Sequence, residues 1–371
     1  MNSDSYDAKI SGCILGTAIG DAVGLKREGL SRDKAIWMHG SEPSPDLIFG
    51  KGFCSDDTEH TVLVGVSYLK SGGNIESFES IFAKQLRKWL LTCPAGIGLG
   101  TLRSILKSFF VGPKRSGSSS AGNGPAMRAG LIGLLARDQQ HLQKLIHAST
   151  RITHADPRAE EGALVVAKAA RFAANETDSN PIKFLESITP TLSGQELREH
   201  FTAIHKALLA DMEPHEFAAS RGWEKGPTGY VNQTVPMAVY CWAHSPNDFK
   251  AVVTNAVLLG GDTDSVGAIA GSIAGSGCGA DSIPDTWMNQ LAEWPRGTDW
   301  MLDLSHRLSV ATRNESSANE SAPSLRWGRT MVRNLIFGAV VIVICLRRYV
   351  PFSTLRTNRS RSSPSENKAT S

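Results

Sequence analysis

The sequence predicts an all-α protein, many short helices packed around one core. Three observations predict it. Apolar residues recur at spacings of three and four along much of the chain, strand-like alternation is scarce, and 41% of the 371 residues are hydrophobic, enough for a sizeable buried core.

The elements follow in chain order. Ile10, Cys13, Ile14, Thr17, Ala18, Asp21 and Ala22 keep helical spacing in a Gly- and Ala-rich stretch. Phe78, Ile81, Phe82, Leu86, Trp89 and Leu90 form a second such stripe. Asp156-Pro157 reads as an N-cap followed by proline at the first helical position, opening a helix through about Ala174. Phe249, Val252, Val253, Ala256 and Val257 repeat the pattern. Gly112 to Gly124 and Glu224 to Gly229 read as loops. We assign residues 1–312 to one helical domain, 313–325 to a linker, 326–352 to an apolar C-terminal helix and 353–371 to a disordered basic tail.

Composition narrows the function. The net charge is +3, with no basic stripe before the C-terminal tail, so nucleic acid is not expected as a partner. The six cysteines are scattered without a C-x-x-C pair, which argues against zinc ribbons and thioredoxin-like chemistry. The first residues carry acids and no apolar run of signal-peptide length, so the domain is expected in the cytoplasm with reduced thiols.

Two acidic segments carry the chemistry. Ser55-Asp56-Asp57-Thr58 sits where a loop enters a helix, and alone it is explained as a cap, because Ser and Asp suit the positive helix end. Gly260-Gly261-Asp262-Thr263-Asp264-Ser265 changes that reading. It ends an apolar stretch, opens a run of small residues and sets two carboxylates two apart in a turn. A cap needs one acid. Two such clusters point to a shared site for hard cations, which relieve repulsion between carboxylates; the oxygen donors favour Mg²⁺ or Mn²⁺ over zinc. Gly20-Asp21-Ala22-Val23-Gly24 leads to Glu28, and its small-residue helix is expected to cross the one from Val266 to Gly275 near the metals.

Further loops suit a ligand. Ala121-Gly122-Asn123-Gly124 is a Gly-rich loop expected to enter a helix whose N–H groups could hold phosphate, with a plain turn as the simpler explanation. His154 precedes the Asp156 cap, and Tyr230 offers an aromatic face. Gly96-Ile97-Gly98-Leu99-Gly100 lacks the context of a dinucleotide fingerprint.

Together these pieces resemble the ADP-ribosylglycohydrolase family. Gly12 to Gly24 with Glu28, Ser55 to Thr58, Ala121 to Arg128, Thr153 to Ala159, Gly229 to Val231 and Gly260 to Ser265 stand in the family's order. The resemblance implies a single orthogonal multi-helix bundle with a dinuclear metal cleft holding two Mg²⁺ (or Mn²⁺). It implies Ser55, Asp56, Asp57, Asp262, Asp264 and Ser265 as metal ligands, and Glu28, Asp56 and Asp57 as catalytic carboxylates. It places Gly122, Asn123, Gly124, His154 and Tyr230 against ADP-ribose. The implied activity is metal-dependent cleavage of the glycosidic bond of an ADP-ribosyl group on a protein or small molecule. Ser55 and Ser265 stand where the family usually has threonine, and the hydroxyl is kept. Arginine-directed relatives often carry an acid near Ala95, whose absence argues against arginine-linked substrates. The alternatives are a non-catalytic ADP-ribose-binding or structural descendant, and a metal-dependent phosphohydrolase, to which Asp262-Thr263-Asp264 bears a faint likeness.

Asn334 to Leu346 is an apolar run flanked by arginines. As a helix it reaches about 20 Å against a hydrocarbon core of about 30 Å. Two fates are open to 334–352: membrane association or tail anchoring, where the basic flank would meet anionic lipid, or a docked or oligomer-forming helix.

Overall fold

A computed structural model describes residues 3–175, 180–313 and 321–348. Among them, seventeen α-helices follow one another. They begin with α1 (Ser3–Gly24), α2 (Arg32–His39), α3 (Asp56–Ser71), α4 (Ile75–Leu90), α5 (Leu99–Val111) and α6 (Ala129–Leu135). Next come α7 (Gln139–Arg151), α8 (Pro157–Asn175), α9 (Pro181–Ile188), α10 (Gln195–Leu209), α11 (Pro214–Ser220) and α12 (Val231–His244). The last are α13 (Phe249–Val257), α14 (Thr263–Cys278), α15 (Asp285–Gln290), α16 (Thr298–Arg313) and α17 (Trp327–Arg348). The all-α prediction holds. The centre of the predicted linker, 314–320, and everything beyond 348, including the predicted disordered tail, lie outside the described residues.

The predicted stripes become buried helix faces. Phe78, Phe82, Leu86 and Trp89 are the buried side of α4, whose start is capped by Asn74 accepting the Ser77 N–H. Val252, Val253, Ala256 and Val257 are buried in α13, capped by Asp248. At α8 the Asp156 carboxylate accepts the Arg158 N–H at 2.9 Å, and the helix runs to Asn175.

The centre is α14, buried from Thr263 to Ser276 and touching α1, α3, α6, α8, α12 and α13. Its partner α1 lies antiparallel against it along a glycine seam. A Cβ at Gly12, Gly16, Gly20 or Gly24 would sit 2.2, 2.2, 2.0 and 2.2 Å from the carbonyl oxygens of Gly275, Gly271, Gly267 and Thr263. The spacing of four keeps the seam on one face of each helix, and only hydrogen at Cα admits this backbone approach. The expected crossing of two small-residue helices is therefore real, and it runs from Gly12 to the C-terminal end of α1.

One element has no counterpart in the sequence pattern. Leu30–Ser31 (β1) pairs antiparallel with Gly260–Gly261 (β2). Gly260 and Gly261 have φ of +79° and +73°, and a Cβ on Gly260 would meet Arg32 N at 2.5 Å, so glycine is required at this close approach. The pair fixes the chain just after Glu28 beside the chain just before Asp262. A second difference concerns Ala121 to Arg128. The helix starts only at Ala129, and the N–H groups of Asn123, Ala126 and Met127 are spent on the carbonyls of Gly229, Asn123 and Asn123. Those three donors are not available to a phosphate, which corrects the reading of this loop as an open helix N-terminus.

The seam sets a test. Gly20→Ala puts a methyl group into backbone that cannot move aside, and it should destabilise the fold by about 3 kcal/mol or more in urea unfolding. Gly328→Ala, where nothing lies within 4 Å, should be neutral or slightly stabilising. Equal stability of the two variants would contradict the seam.

A carboxylate-lined candidate active site

The site begins where α1 meets the start of α3. Asp21 is fully buried on α1 and accepts the N–H groups of Ser55 (2.8 Å) and Thr58 (3.2 Å) and the Thr58 hydroxyl (2.5 Å). Burial pushes the Asp21 carboxyl up to about 7 despite these hydrogen bonds. Ser55 caps the same helix end, where its Oγ accepts the Asp57 N–H at 3.2 Å and donates to Asp57 Oδ2 at 3.0 Å. The donors at the start of α3 are thus satisfied from α1 and Ser55, leaving Asp56 and Asp57 to face a cleft.

The opposite wall is the start of α14. Ser265 Oγ lies 3.4 Å from Asp57 Oδ2, although 208 residues separate them. Asp262 is held twice, its N–H on the Pro227 carbonyl at 2.8 Å and its Oδ2 accepting from Asn123 Nδ2 at 2.7 Å. The cleft has a volume of about 700 Å³, in the range of small-molecule sites. Glu28, Asp56, Asp57, Asp262, Asp264 and Ser265 line it, as do Gly122, Asn123, Gly124 and His154.

Two predicted residues do not reach its wall. Ser55 is buried behind Asp57, and its hydroxyl is engaged there. Tyr230 is turned away, its hydroxyl donating to Glu196 Oε2 at 2.5 Å and accepting from Arg158 Nη1 at 3.2 Å; Gly229 faces the cleft in its place. Asn123 serves as a tether for Asp262 and also donates to Thr234 Oγ1 at 3.1 Å.

The electrostatics are one-sided. Asp56, Asp57 and Asp264 all have carboxyl groups held well above the usual range. Burial is the largest cause for each. Neighbouring negative charge adds to it, from Asp21 on Asp56, from Asp21, Asp56 and Asp262 on Asp57, and from Glu28, Asp262 and Asp57 on Asp264. Among the described residues no three His, Cys, Asp or Glu side chains already converge as a metal cage. The donor chemistry nonetheless fits a hard divalent cation. Its acidic donors are all oxygen, they outnumber the cations near them, and Asp57 Oδ1 is buried with no hydrogen-bond partner.

His154 is neutral. Its pKa is lowered to about 3, by burial first and then by the Arg128 charge. Gly122 and Gly124 leave room for this ring, since a Cβ on either would lie 3.0 Å from it. Arg128 is fully buried and donates to Ser149 Oγ (3.0 Å) and Thr153 Oγ1 (2.8 Å), and Thr153 Oγ1 touches His154 Nδ1 at 3.0 Å. Sequence reasoning gives no role to Asp21 or Arg128. It also misses Lys225, the only Lys or Arg on the cleft wall among the described residues, and it does not place Gly96 to Thr101 on the cleft wall, although it weighs Gly96 to Gly100 and the missing acid near Ala95. An aspartate in an otherwise apolar helix face is the available signal for Asp21; nothing local marks the others. Another cavity, of about 590 Å³, is lined by Glu79, His147, Arg151 and Glu160, where Arg151 pairs with Glu79 and the His147 ring lies 3.0 Å from the Glu160 carboxylate.

The family's sequence model, described as ADP-ribosylglycohydrolase, matches residues 2–318. The chain belongs to the ADP-ribosylglycohydrolase family. An uncharacterized protein of Archaeoglobus fulgidus is 31% identical, over 77% of this chain and 92% of that protein. ADP-ribosylhydrolase ARH3 of Bos taurus is 27% identical over 81% and 93%, and the ADP-ribosyl-[dinitrogen reductase] glycohydrolase of Rhodospirillum rubrum is 26% identical over 78% and 92%. A solved ADP-ribosylglycohydrolase-related protein complex superposes with a TM-score of 0.63 at 25% identity, over 83% of this chain and 99% of that one. Family membership supports hydrolysis of ADP-ribosyl groups in general. The phosphohydrolase alternative fails on the fold, because Asp262 stands at the start of a helix and not at the end of a strand in a parallel sheet.

Helix α17 lies beyond the residues matched to the family, yet it reaches the rear of the site. Arg333 Nη2 donates to Glu293 Oε2 at 2.6 Å and to the Cys54 carbonyl, and Glu293 Oε2 accepts the Cys54 N–H at 3.0 Å. Both side chains are 4% exposed. Arg333→Met strands the Glu293 charge and should cost about 3–5 kcal/mol of stability in urea unfolding. Adding Glu293→Gln should recover part of that loss. Wild-type stability of Arg333→Met would show that the pair does not brace Cys54.

Proposed function

We propose that this chain hydrolyses the glycosidic bond at C1″ of an ADP-ribosyl group with two Mg²⁺ (or Mn²⁺) ions in the cleft. The observation that carries the proposal is the meeting of Asp57 and Ser265, from segments 208 residues apart, across one cleft that Asp56, Asp262, Asp264 and Glu28 also line. Asp56, Asp57, Asp262, Asp264 and Ser265 would hold the ions, and Ser55 would act by fixing Asp57. Bound there, such ions supply charge for the ribose diol and acidify a water.

The chain's own groups do the rest. Of the five carboxylates lining the cleft, we assign Glu28, Asp56 and Asp57 to accept a proton from the attacking water as the bond at C1″ breaks through an oxocarbenium-like state. The neutral imidazole of His154 offers a hydrogen bond to the bound nucleotide, and Lys225 offers the positive charge that a diphosphate seeks. The rim at Gly96, Gly98, Leu99, Gly100 and Thr101 presents no carboxylate to pair with a guanidinium. That favours an O-linked leaving group, such as a serine or a small-molecule alcohol, over arginine.

The test is a panel of serine-linked, arginine-linked and O-acyl ADP-ribose substrates, assayed for ADP-ribose release with and without chelator. The expected result is Mg²⁺- or Mn²⁺-dependent release from O-linked substrates, reduced by about 100-fold or more in Asp57→Asn and in Asp264→Asn. Release that ignores the chelator, or full activity in both variants, would refute it. Calorimetric binding of ADP-ribose with no release from any substrate would instead show a non-catalytic binder.

A further inference from the structure

Helix α17 has two faces of opposite character. One is docked: Thr330, Arg333, Asn334 and Phe337 are buried, Asn334 Nδ2 donates to Thr92 Oγ1 at 2.9 Å, and Phe337 packs with Leu25 and Leu47. The other is open. Val332, Leu335, Ile336, Ile342, Val343 and Leu346 are between 47% and 67% exposed. At 100° per residue they form one stripe along the helix, opposite the docked face. Single exposed apolar residues are ordinary; a continuous stripe about 21 Å long is an interaction surface.

Charge says what covers it. From Ser321 to Ser365 the sequence holds eight arginines and no Asp or Glu, while the chain as a whole is only +3, so the remainder is net negative. Arg326 and Arg329 are exposed at the start of the helix, and Arg347 and Arg348 follow the stripe in sequence. An apolar face with arginines at both ends matches a bilayer surface containing anionic lipid, where the side chains enter the acyl boundary and the guanidinium groups meet phosphates. By length and composition Trp327–Ile344 could also cross a membrane. The docked face argues against crossing, because Arg333 and Asn334, in the middle of that window, are engaged by Glu293, Cys54 and Thr92.

We propose that α17 lies in the plane of an anionic bilayer surface with the stripe of Val332, Leu335, Ile336, Ile342, Val343 and Leu346 inserted, while its Arg333 face keeps the hydrolase domain docked above it. The same helix touches the chain on both sides of the cleft. It holds Cys54, next to the acidic start of α3, and it contacts Thr92, four residues before the Gly96 rim. Seated this way, the domain keeps one orientation to the membrane. The proposal does not depend on which bond the cleft hydrolyses.

The test sediments the full chain with vesicles of phosphatidylcholine containing phosphatidylserine, and with phosphatidylcholine alone. The full chain should bind the anionic vesicles and be released by an alkaline carbonate wash. The exposed double substitution Leu335→Glu with Ile342→Glu should weaken binding by about tenfold or more. Circular dichroism and ADP-ribose release in solution should be unchanged in that variant, since neither residue touches the cleft or the core. Three results would overturn the proposal: undiminished binding by the double variant, protein that only detergent extracts (a spanning helix), or no vesicle binding together with a dimer in solution that the double variant dissolves.

Discussion

The structure depends on the backbone contact between α1 and α14. Four glycine positions on α1 let two helices from opposite ends of the domain touch without side chains between them. Because the helices are antiparallel, the C-terminal end of α1, with Asp21, comes to the N-terminal end of α14, with Asp262 and Asp264. Asp21 then receives the start of α3 and orients Asp56 and Asp57, while β1 and β2 bring Glu28 alongside. Each carboxylate of the cleft is therefore placed by a chain of contacts that starts at the seam.

What the seam assembles is electrostatically unfavourable by itself. Several buried or half-buried carboxyls face one cleft, and each holds its neighbours' protons on more tightly. Such an arrangement costs stability unless positive charge arrives, and the protein supplies little: among the described residues Lys225 is the only Lys or Arg on the cleft wall. Arg128 acts on Asp56 by charge alone, its hydrogen bonds being spent on Ser149 and Thr153, while Arg333 is paired with Glu293 and Arg296 with Glu59. The proposed cations would relieve that excess of negative charge, and a chain with no such ligand would gain stability by replacing these acids with neutral residues.

Much of this is legible in sequence, for a physical reason. Helical periodicity is local, so the stripes at Phe78–Leu90 and Phe249–Val257 mark their helices directly. The acidic segments stand out because doubled acids exceed what a cap needs. The small-residue runs on α1 and α14 are visible as composition, and the crossing follows from them. What escapes sequence is the set of relations that exist only in three dimensions. Tyr230 has the character of a cleft aromatic, but Glu196 and Arg158 hold its hydroxyl elsewhere. Asn123 has the character of a phosphate contact, but its amide is spent on Asp262. Asp21 passes as one polar position in a helix because its partners lie more than thirty residues away. The resemblance to the family carries the metal set as a group, which no single segment can do.

The central claim is that the ends of α3 and α14 together form one divalent-metal centre. Anomalous diffraction from crystals grown with Mn²⁺ tests it most directly. The account predicts two anomalous peaks about 3.5–4 Å apart between Asp57 and Asp264, with Asp56 and Asp262 also in contact. Peaks confined to the protein surface, or a cleft without metal at saturating Mn²⁺, would contradict it.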